Sequence, residues 1–158
     1  DESFSMAWLA SQGVVYDFAF TTAGKTLPSL ASFFTGLAPI EHGAVSNMTR
    51  LQADTYVSKL KLAGFKSHAR VANRSLHKFC GLAEGFDTYA VRAKQRESEL
   101  GDDLLSAAHD DIASSKRVML WAHFMAPHQP YEPLPEYRSQ LSLPAEIVAG
   151  NEQLQAAH

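Results

Sequence analysis

A hydroxyl residue lies at the predicted start of a helix in segment 24–29, GKTLPS. Pro28 favours a helix that begins near Leu27 or at Pro28 itself, which places Thr26 at the helix N-terminus. Backbone N–H groups and the positive end of the helix dipole stabilise an oxyanion or a tetrahedral anion there. Thr26 is therefore a candidate nucleophile and Lys25 a candidate anion-binding residue. The same pattern also suits Thr26 as an N-cap and Lys25 as a solvated charge.

Two histidines, His123 and His128, lie five residues apart around the end of a predicted strand. Imidazole titrates near neutral pH, so a histidine there can protonate a leaving oxygen or bind a metal ion. His128 lies in a loop between Pro127 and Pro130 and is the stronger catalytic candidate, although a surface histidine in a proline-rich turn has the same pattern. We interpret His123 as a hydrogen-bonded histidine inside the sheet layer.

Asn73 and Arg74 follow another predicted strand and are candidate substrate-binding residues. A guanidinium can bind two oxygens of a sulfate or phosphate group at once, which is the chemistry that Arg74 offers. The alternative is an exposed loop, just as His42 before Gly43 is typical of a turn.

Other polar residues are interpreted as structural. The carboxylate pairs 102–103 and 110–111 are assigned to the solvent side of a helix, and Cys80 to a packed apolar site.

The elements that must position these residues alternate between helices and strands. Hydrophobic periodicity and helix-end signals predict helices over 4–10, from Leu27 or Pro28 to before Gly36, over 54–63 and over 97–113, and strands over 14–20, 66–72 and 118–124. This alternation predicts an α/β layered domain with right-handed crossovers. Ligands bind at the carboxyl ends of the strands in such sheets, so the loops around Thr26 and His128 are the candidate site.

The composition narrows the function classes. The chain has 158 residues, a formal net charge of −3, 46% hydrophobic and 20% charged residues, which is typical of one globular domain. Scattered basic residues and the slight acidic excess argue against a nucleic-acid partner. A single cysteine excludes an internal disulfide framework, and no apolar run reaches the roughly 18 residues of a membrane span. The compartment cannot be inferred. The chain lacks an initiator Met and a helix stop signal at its end, so we expect a piece of a longer protein.

Four segments, in order along the chain, resemble the sulfatase family of the alkaline phosphatase superfamily. They match the family's leader helix and strand, its C/S/T-x-P-S signature with following T-G and H-G pairs, its L-x-x-A-G-[YF] … G-F-D segment and its P-H-x-P-Y loop. In this chain the segments are 8–20 (WLASQGVVYDFAF), 26–43 (TLPSLASFFTGLAPIEHG), 60–89 (LKLAGFKSHARVANRSLHKFCGLAEGFDTY) and 119–137 (MLWAHFMAPHQPYEPLPEY).

The resemblance implies an alkaline phosphatase-like three-layer sandwich with a mostly parallel sheet, of which residues 1–158 form a single partial catalytic domain. It implies that Thr26 is both nucleophile and metal ligand, and that His128 contacts the transferred group or protonates the leaving oxygen. The implied reaction is metal-dependent cleavage of a sulfate or phosphate ester of a small molecule, glycan or lipid. The metal in the complete protein would be Ca, Mg, Mn or Zn.

Departures from the family pattern leave alternatives open. Family sulfatases oxidise Cys or Ser at the nucleophile position to formylglycine, whereas Thr26 would give a ketone and must act as a hydroxyl. This favours phosphoryl chemistry, including a phosphoglycerol- or phosphoethanolamine-type phosphotransferase. Leu30 replaces a family Arg, and Ala72 and Arg74 replace a Lys-x-His motif, which leaves a non-catalytic binding domain as a third reading.

The resemblance also places metal-ligating aspartates on strands that should precede Phe4 and follow His158. We therefore expect the chain alone to be inactive and to bind metal weakly.

Overall fold

The computed structural model describes residues 6–93, 96–126 and 128. Five α-helices and three strands order the described residues, with two short 3-10 turns between β1 and β2. In chain order they are α1 (Met6–Gln12), α2 (Thr26–Thr35), α3 (Pro39–His42), α4 (Tyr56–Leu62), β1 (Lys66–Val71), the 3-10 turns Arg74–Leu76 and Lys78–Cys80, β2 (Thr88–Val91), α5 (Glu97–Ala113) and β3 (Val118–His123). No helix in these ranges is long and apolar enough to cross a bilayer.

The three strands form one parallel sheet in the order β2-β1-β3. In register, Val71 at the end of β1 lies between Val91 of β2 and His123 of β3. The carboxyl ends of all three strands therefore meet at one edge. This confirms the predicted α/β class with a parallel sheet.

Helices α2 and α4 cover one face of the sheet. The core there contains Leu27 and Phe34 of α2, Val57 of α4 and Val71 of β1, each at most 1% exposed. Phe34 packs edge-to-face on Trp121 of β3 with ring centroids 4.6 Å apart. Burial of these large apolar groups, each contributing about 1.5–3 kcal/mol, fixes α2 against the carboxyl half of the sheet.

Helix α5 covers the opposite face, which gives the predicted three layers. Leu100, Leu104 and Ala108 are buried as the stripe predicts, whereas Ile112, the last member of the predicted stripe, is 47% exposed.

The assignment of both carboxylate pairs to solvent is wrong for one member of each. Asp103 accepts hydrogen bonds from Arg70 and Arg92, and Asp111 bonds His68. These carboxylates lie at the edges of the apolar stripe, where they reach the polar side chains that β1 presents to α5.

The predicted strand over 14–20 is also wrong. Residues 14–20 are irregular, and their apolar side chains are exposed, from 60% for Val15 to 90% for Phe20. β-branched and aromatic residues adopt strand only where a neighbouring strand offers hydrogen bonds, and none of the described strands pairs with this segment. The prediction of an opening helix is confirmed by α1, and that of a packed Cys80 by its 1% exposure.

Candidate active site

Thr26 is the first residue of α2, and the N-cap is Lys25 in an extended conformation without a side-chain capping bond. The reading of Thr26 as the N-cap is therefore wrong, because the helix begins one residue earlier than the proline signal indicates. Pro28 is the third helical residue, where its missing N–H costs no helical hydrogen bond. Thr26 is partly buried, and its hydroxyl lies at the positive end of the helix.

Asn73 lies beside Thr26, as its assignment to the site predicts. Its Nδ2 donates to Thr26 Oγ1 at 3.5 Å, while its Oδ1 accepts from the Ser75 N–H at 2.8 Å. The second bond caps the 3-10 turn that follows β1 and holds the carboxamide toward α2. The carboxyl end of β1 thus supplies a neutral donor to the candidate nucleophile.

Asn47 is a site neighbour that the sequence analysis missed. Its Oδ1 accepts the Leu27 N–H at 2.9 Å, across 20 residues of chain. No local pattern announces such a bond, although an asparagine soon after the H-G pair was available as a signal.

Lys25 and Arg74 are exposed, and within the described residues neither side chain makes a hydrogen bond or an ion pair. Lys25 adjoins Thr26 in sequence, and Arg74 adjoins Asn73. Both cations flank the Thr26–Asn73 pair along the chain, and their substrate-binding role stays a prediction.

His128 lies five residues beyond β3, in a turn closed by its own N–H donating to the Met125 carbonyl at 2.6 Å. The residue is exposed, and Pro127 and Pro130, which frame it in the sequence, lie outside the described residues. Its catalytic role stays a prediction.

His123 is the last residue of β3 and adjoins the site through the sheet. Its carbonyl accepts the Ala72 N–H at 2.8 Å, and Ala72 precedes Asn73. Side chains alternate along a strand, so His123 shares with Trp121 the face that packs against α2. It is half-buried, and burial lowers the pKa of its imidazole, which is therefore neutral at pH 7. The described residues provide no hydrogen bond to its ring, so its interpretation as a hydrogen-bonded core histidine is wrong.

His42 is fully buried at the end of α3, so the reading of this position as an ordinary turn is incomplete. Its Nδ1 accepts the Ala44 N–H at 3.1 Å, and its Nε2 lies 3.0 Å from Ser32 Oγ. Since Nδ1 is an acceptor, the neutral ring carries its proton on Nε2 and donates it to Ser32. His42 therefore cannot serve as a base for Ser32, and the pair is structural.

The chemistry around Thr26 does not fit a divalent metal ion. Its described neighbours are the carboxamide of Asn73 and the backbone of α2, with the cation Lys25 adjacent in sequence. Hard divalent cations require carboxylates or several oxygen ligands. In the described ranges no group of three or more His, Cys, Asp or Glu side chains could hold a metal. The sulfatase resemblance implies a metal, and the mechanism below uses none.

A cavity of about 510 Å³ opens between segment 19–22 and the middle of α2. The described residues that line it include Phe20, Ser29 and Phe33, but neither Thr26 nor Asn73. This mostly apolar cavity is separate from the candidate site.

Comparison with known proteins is consistent with this geometry. The family model described as Sulfatase matches residues 5–143. A search of curated proteins finds no match. Among solved structures, the chain is similar to BT4656 in complex with its substrate D-glucosamine-2-N,6-O-disulfate, at 17% identity and a TM-score of 0.63. The match covers 84% of this chain and 32% of that one, so the chain spans about a third of the solved relative. Since the family model covers most of its residues, this chain belongs to the sulfatase family.

Proposed function

We propose that this chain supplies the nucleophile half of a catalytic domain that cleaves a sulfate or phosphate ester, with Thr26 as the attacking residue. The observation that carries the proposal is the Thr26–Asn73 pair at the N-terminus of α2. Membership of the sulfatase family supports ester chemistry, and the similar structure was solved with a sulfated glucosamine as its substrate. The substrate proposed here is accordingly a sulfated or phosphorylated small molecule, glycan or lipid.

The pair supports a hydroxyl nucleophile for a physical reason. Asn73 Nδ2 donates to Thr26 Oγ1, so one lone pair of the hydroxyl is occupied by a donor and the alkoxide form gains a hydrogen bond. The helix dipole adds a positive potential at the same oxygen. Both effects increase as negative charge develops on Oγ1, so they lower the barrier more than they stabilise the resting state.

The reaction proceeds by in-line attack. The bond from Oγ1 to phosphorus or sulfur forms while the bond to the ester oxygen breaks, and the Thr26 proton leaves to solvent or a base. His128 is proposed to return a proton to the departing oxygen. Water then attacks the Thr26 ester, releases inorganic phosphate or sulfate and restores the hydroxyl.

Phosphoryl transfer is the preferred variant of this reaction. Threonine carries a methyl group on Cβ, so oxidation gives a ketone and not the aldehyde of formylglycine. An unmodified Thr26 forms a stable phosphate ester, which an acceptor alcohol can also cleave. In that case the enzyme is a phosphotransferase that passes on a phosphoglycerol- or phosphoethanolamine-like group.

The test compares Thr26→Ala with Thr22→Ala in the complete protein. Thr22 is exposed and lies four residues earlier, so the same change there controls for loss of a threonine near α2. We expect Thr26→Ala to lower kcat for p-nitrophenyl phosphate or sulfate by at least about 1000-fold, and Thr22→Ala to leave it unchanged.

Intact-mass analysis after brief exposure to the ester then identifies the group bound to the protein. A phosphoryl or sulfuryl adduct indicates hydrolysis, and a larger headgroup adduct indicates transfer. Equal activity of the wild type and Thr26→Ala would contradict the proposal, and a wild type inactive on both esters would favour a binding domain.

A further inference from the structure

The first turn of α2 is almost depleted of free N–H groups. The Ser29 N–H bonds the Lys25 carbonyl at 3.1 Å, and Pro28 has no N–H. The Leu27 N–H bonds Asn47 Oδ1 at 2.9 Å. In the described part of the chain, the Thr26 N–H alone is without a hydrogen bond in this turn. A substrate oxygen that approaches the helix end therefore meets the N–H of the candidate nucleophile itself.

Asn47 is held in place by its own loop. Ser46 and Thr49 close a turn around it: the Ser46 N–H donates to Thr49 Oγ1 at 3.0 Å, and Thr49 Oγ1 donates to the Ser46 carbonyl at 2.8 Å. The Met48 N–H donates to Ser46 Oγ at 3.1 Å. The carboxamide therefore reaches the helix from a turn that is ordered without α2.

The bond also replaces a missing cap. Lys25 occupies the N-cap position but makes no side-chain capping bond, so the helix start depends on a side chain 20 residues away. Leu27 is fully buried, so its N–H has no access to bulk water from the core side. Without Asn47 this N–H would have to turn toward another acceptor and rotate the first turn, including Thr26.

We propose that Asn47 is a positioning residue for Thr26: it closes the Leu27 N–H, fixes the rotation of the first turn of α2 and leaves the Thr26 N–H to bind a substrate oxygen. The inference rests on the proposed function, since it assumes that Thr26 attacks. Asn47 acts through the backbone of α2 and does not touch the substrate. Its removal should affect the reacting geometry more than substrate binding.

The experiment compares Asn47→Ala, Asn47→Asp and Asp87→Ala in the complete protein. Asp87 Oδ2 also accepts a backbone N–H, that of Ser67, at 2.9 Å and across 20 residues, but at the amino end of β1. Asp87→Ala therefore removes the same kind of bond away from the site. Asn47→Asp keeps the acceptor oxygen in the same shape and adds a negative charge.

We expect Asn47→Ala to lower kcat for p-nitrophenyl phosphate by about 10- to 100-fold, because a displacement of about 1 Å at a reacting group has effects of this size. KM should change by less than about threefold. Asn47→Asp should recover most of kcat but raise KM, since its charge repels an anionic substrate. Asp87→Ala should keep the wild-type kcat although its thermal midpoint falls.

Two outcomes would overturn the inference alone: a kcat for Asn47→Ala equal to that of Asp87→Ala, or an Asn47→Asp variant no more active than Asn47→Ala. The Thr26→Ala variant separates this failure from that of the proposed function. If Thr26→Ala remains active, the nucleophile assignment fails and the role of Asn47 fails with it. If Thr26→Ala is inactive and Asn47→Ala is normal, only the role of Asn47 is wrong.

Discussion

The ion cluster between α5 and β1 offers a quantitative test of how the helix is attached to the strand that carries Asn73. Asp103 Oδ1 accepts from Arg70 Nε at 2.9 Å and its Oδ2 from Arg92 Nε at 2.6 Å. The Arg70 side chain is 9% exposed, whereas that of Arg92 is 41% exposed. The change Asp103→Ala removes both bonds and leaves the buried guanidinium without a carboxylate.

The magnitude follows from burial. An exposed pair such as Arg92–Asp103 contributes at most about 1 kcal/mol, and loss of one partner of a fully buried pair costs about 3–5 kcal/mol. Arg70 keeps bonds to the Ala69 carbonyl and Thr88 Oγ1, and the Asp103 side chain is 22% exposed. We therefore expect Asp103→Ala to lower the free energy of unfolding by about 2 kcal/mol.

Asp110→Ala is the matched control. Asp110 lies two turns further along α5 with a fully exposed side chain, so both changes gain the same helix propensity. Equilibrium urea unfolding followed by circular dichroism should show a lower midpoint for Asp103→Ala and an unchanged midpoint for Asp110→Ala. Equal midpoints would refute the view that this cluster attaches α5 to the sheet.

The pH dependence gives a second check on the same residue. Burial by itself raises the pKa of the Asp103 carboxyl, but the bonds from Arg70 and Arg92 outweigh it and lower the pKa below its ordinary value of 3.8. The unfolded chain then takes up the proton first, so the stabilisation is complete above pH 3.8 and is lost as the pH falls through the folded value. The difference between wild type and Asp103→Ala should shrink in strong acid.

Two further predictions concern other positions. Gly81 has φ +98°, and an added Cβ would lie 2.8 Å from Leu51 Cβ and 2.9 Å from its carbonyl oxygen, so Gly81→Ala should destabilise by more than about 2 kcal/mol in urea unfolding. Gly101, in α5 with open space around it, is the control: Gly101→Ala should stabilise by about 0.5–1 kcal/mol, and the opposite order would contradict this account. For His123, burial lowers the folded pKa below 6.5, so its contribution is present above pH 6.5 and is lost as the pH falls toward the folded value. His123→Gln should reduce the loss of stability between about pH 7 and pH 5 in urea titrations, and an unchanged loss would show that another group titrates.

Local patterns predicted most of the ordered elements because their signals are local. Helix α5 spans the predicted residues 97–113, and α2 ends before Gly36, whose φ of 74° forms its C-cap. Strand β2 was missed because Thr88–Val91 is short and follows a turn-rich stretch. The segment 14–20 shows the converse: a strand-forming composition remains irregular without a neighbour to pair with.

The sequence by itself determined the class of fold, the helix start that presents Thr26, and the resemblance to sulfatases that the family match confirms. These depend on residue type and on spacing within a few turns. Tertiary structure decided which polar groups meet: Asn73 with Thr26, Asn47 with the Leu27 N–H, and Asp103 with Arg70. Each of these contacts joins residues 20 to 47 positions apart, and such pairs are set by how the helices pack on the sheet, because no local periodicity encodes the distance between them.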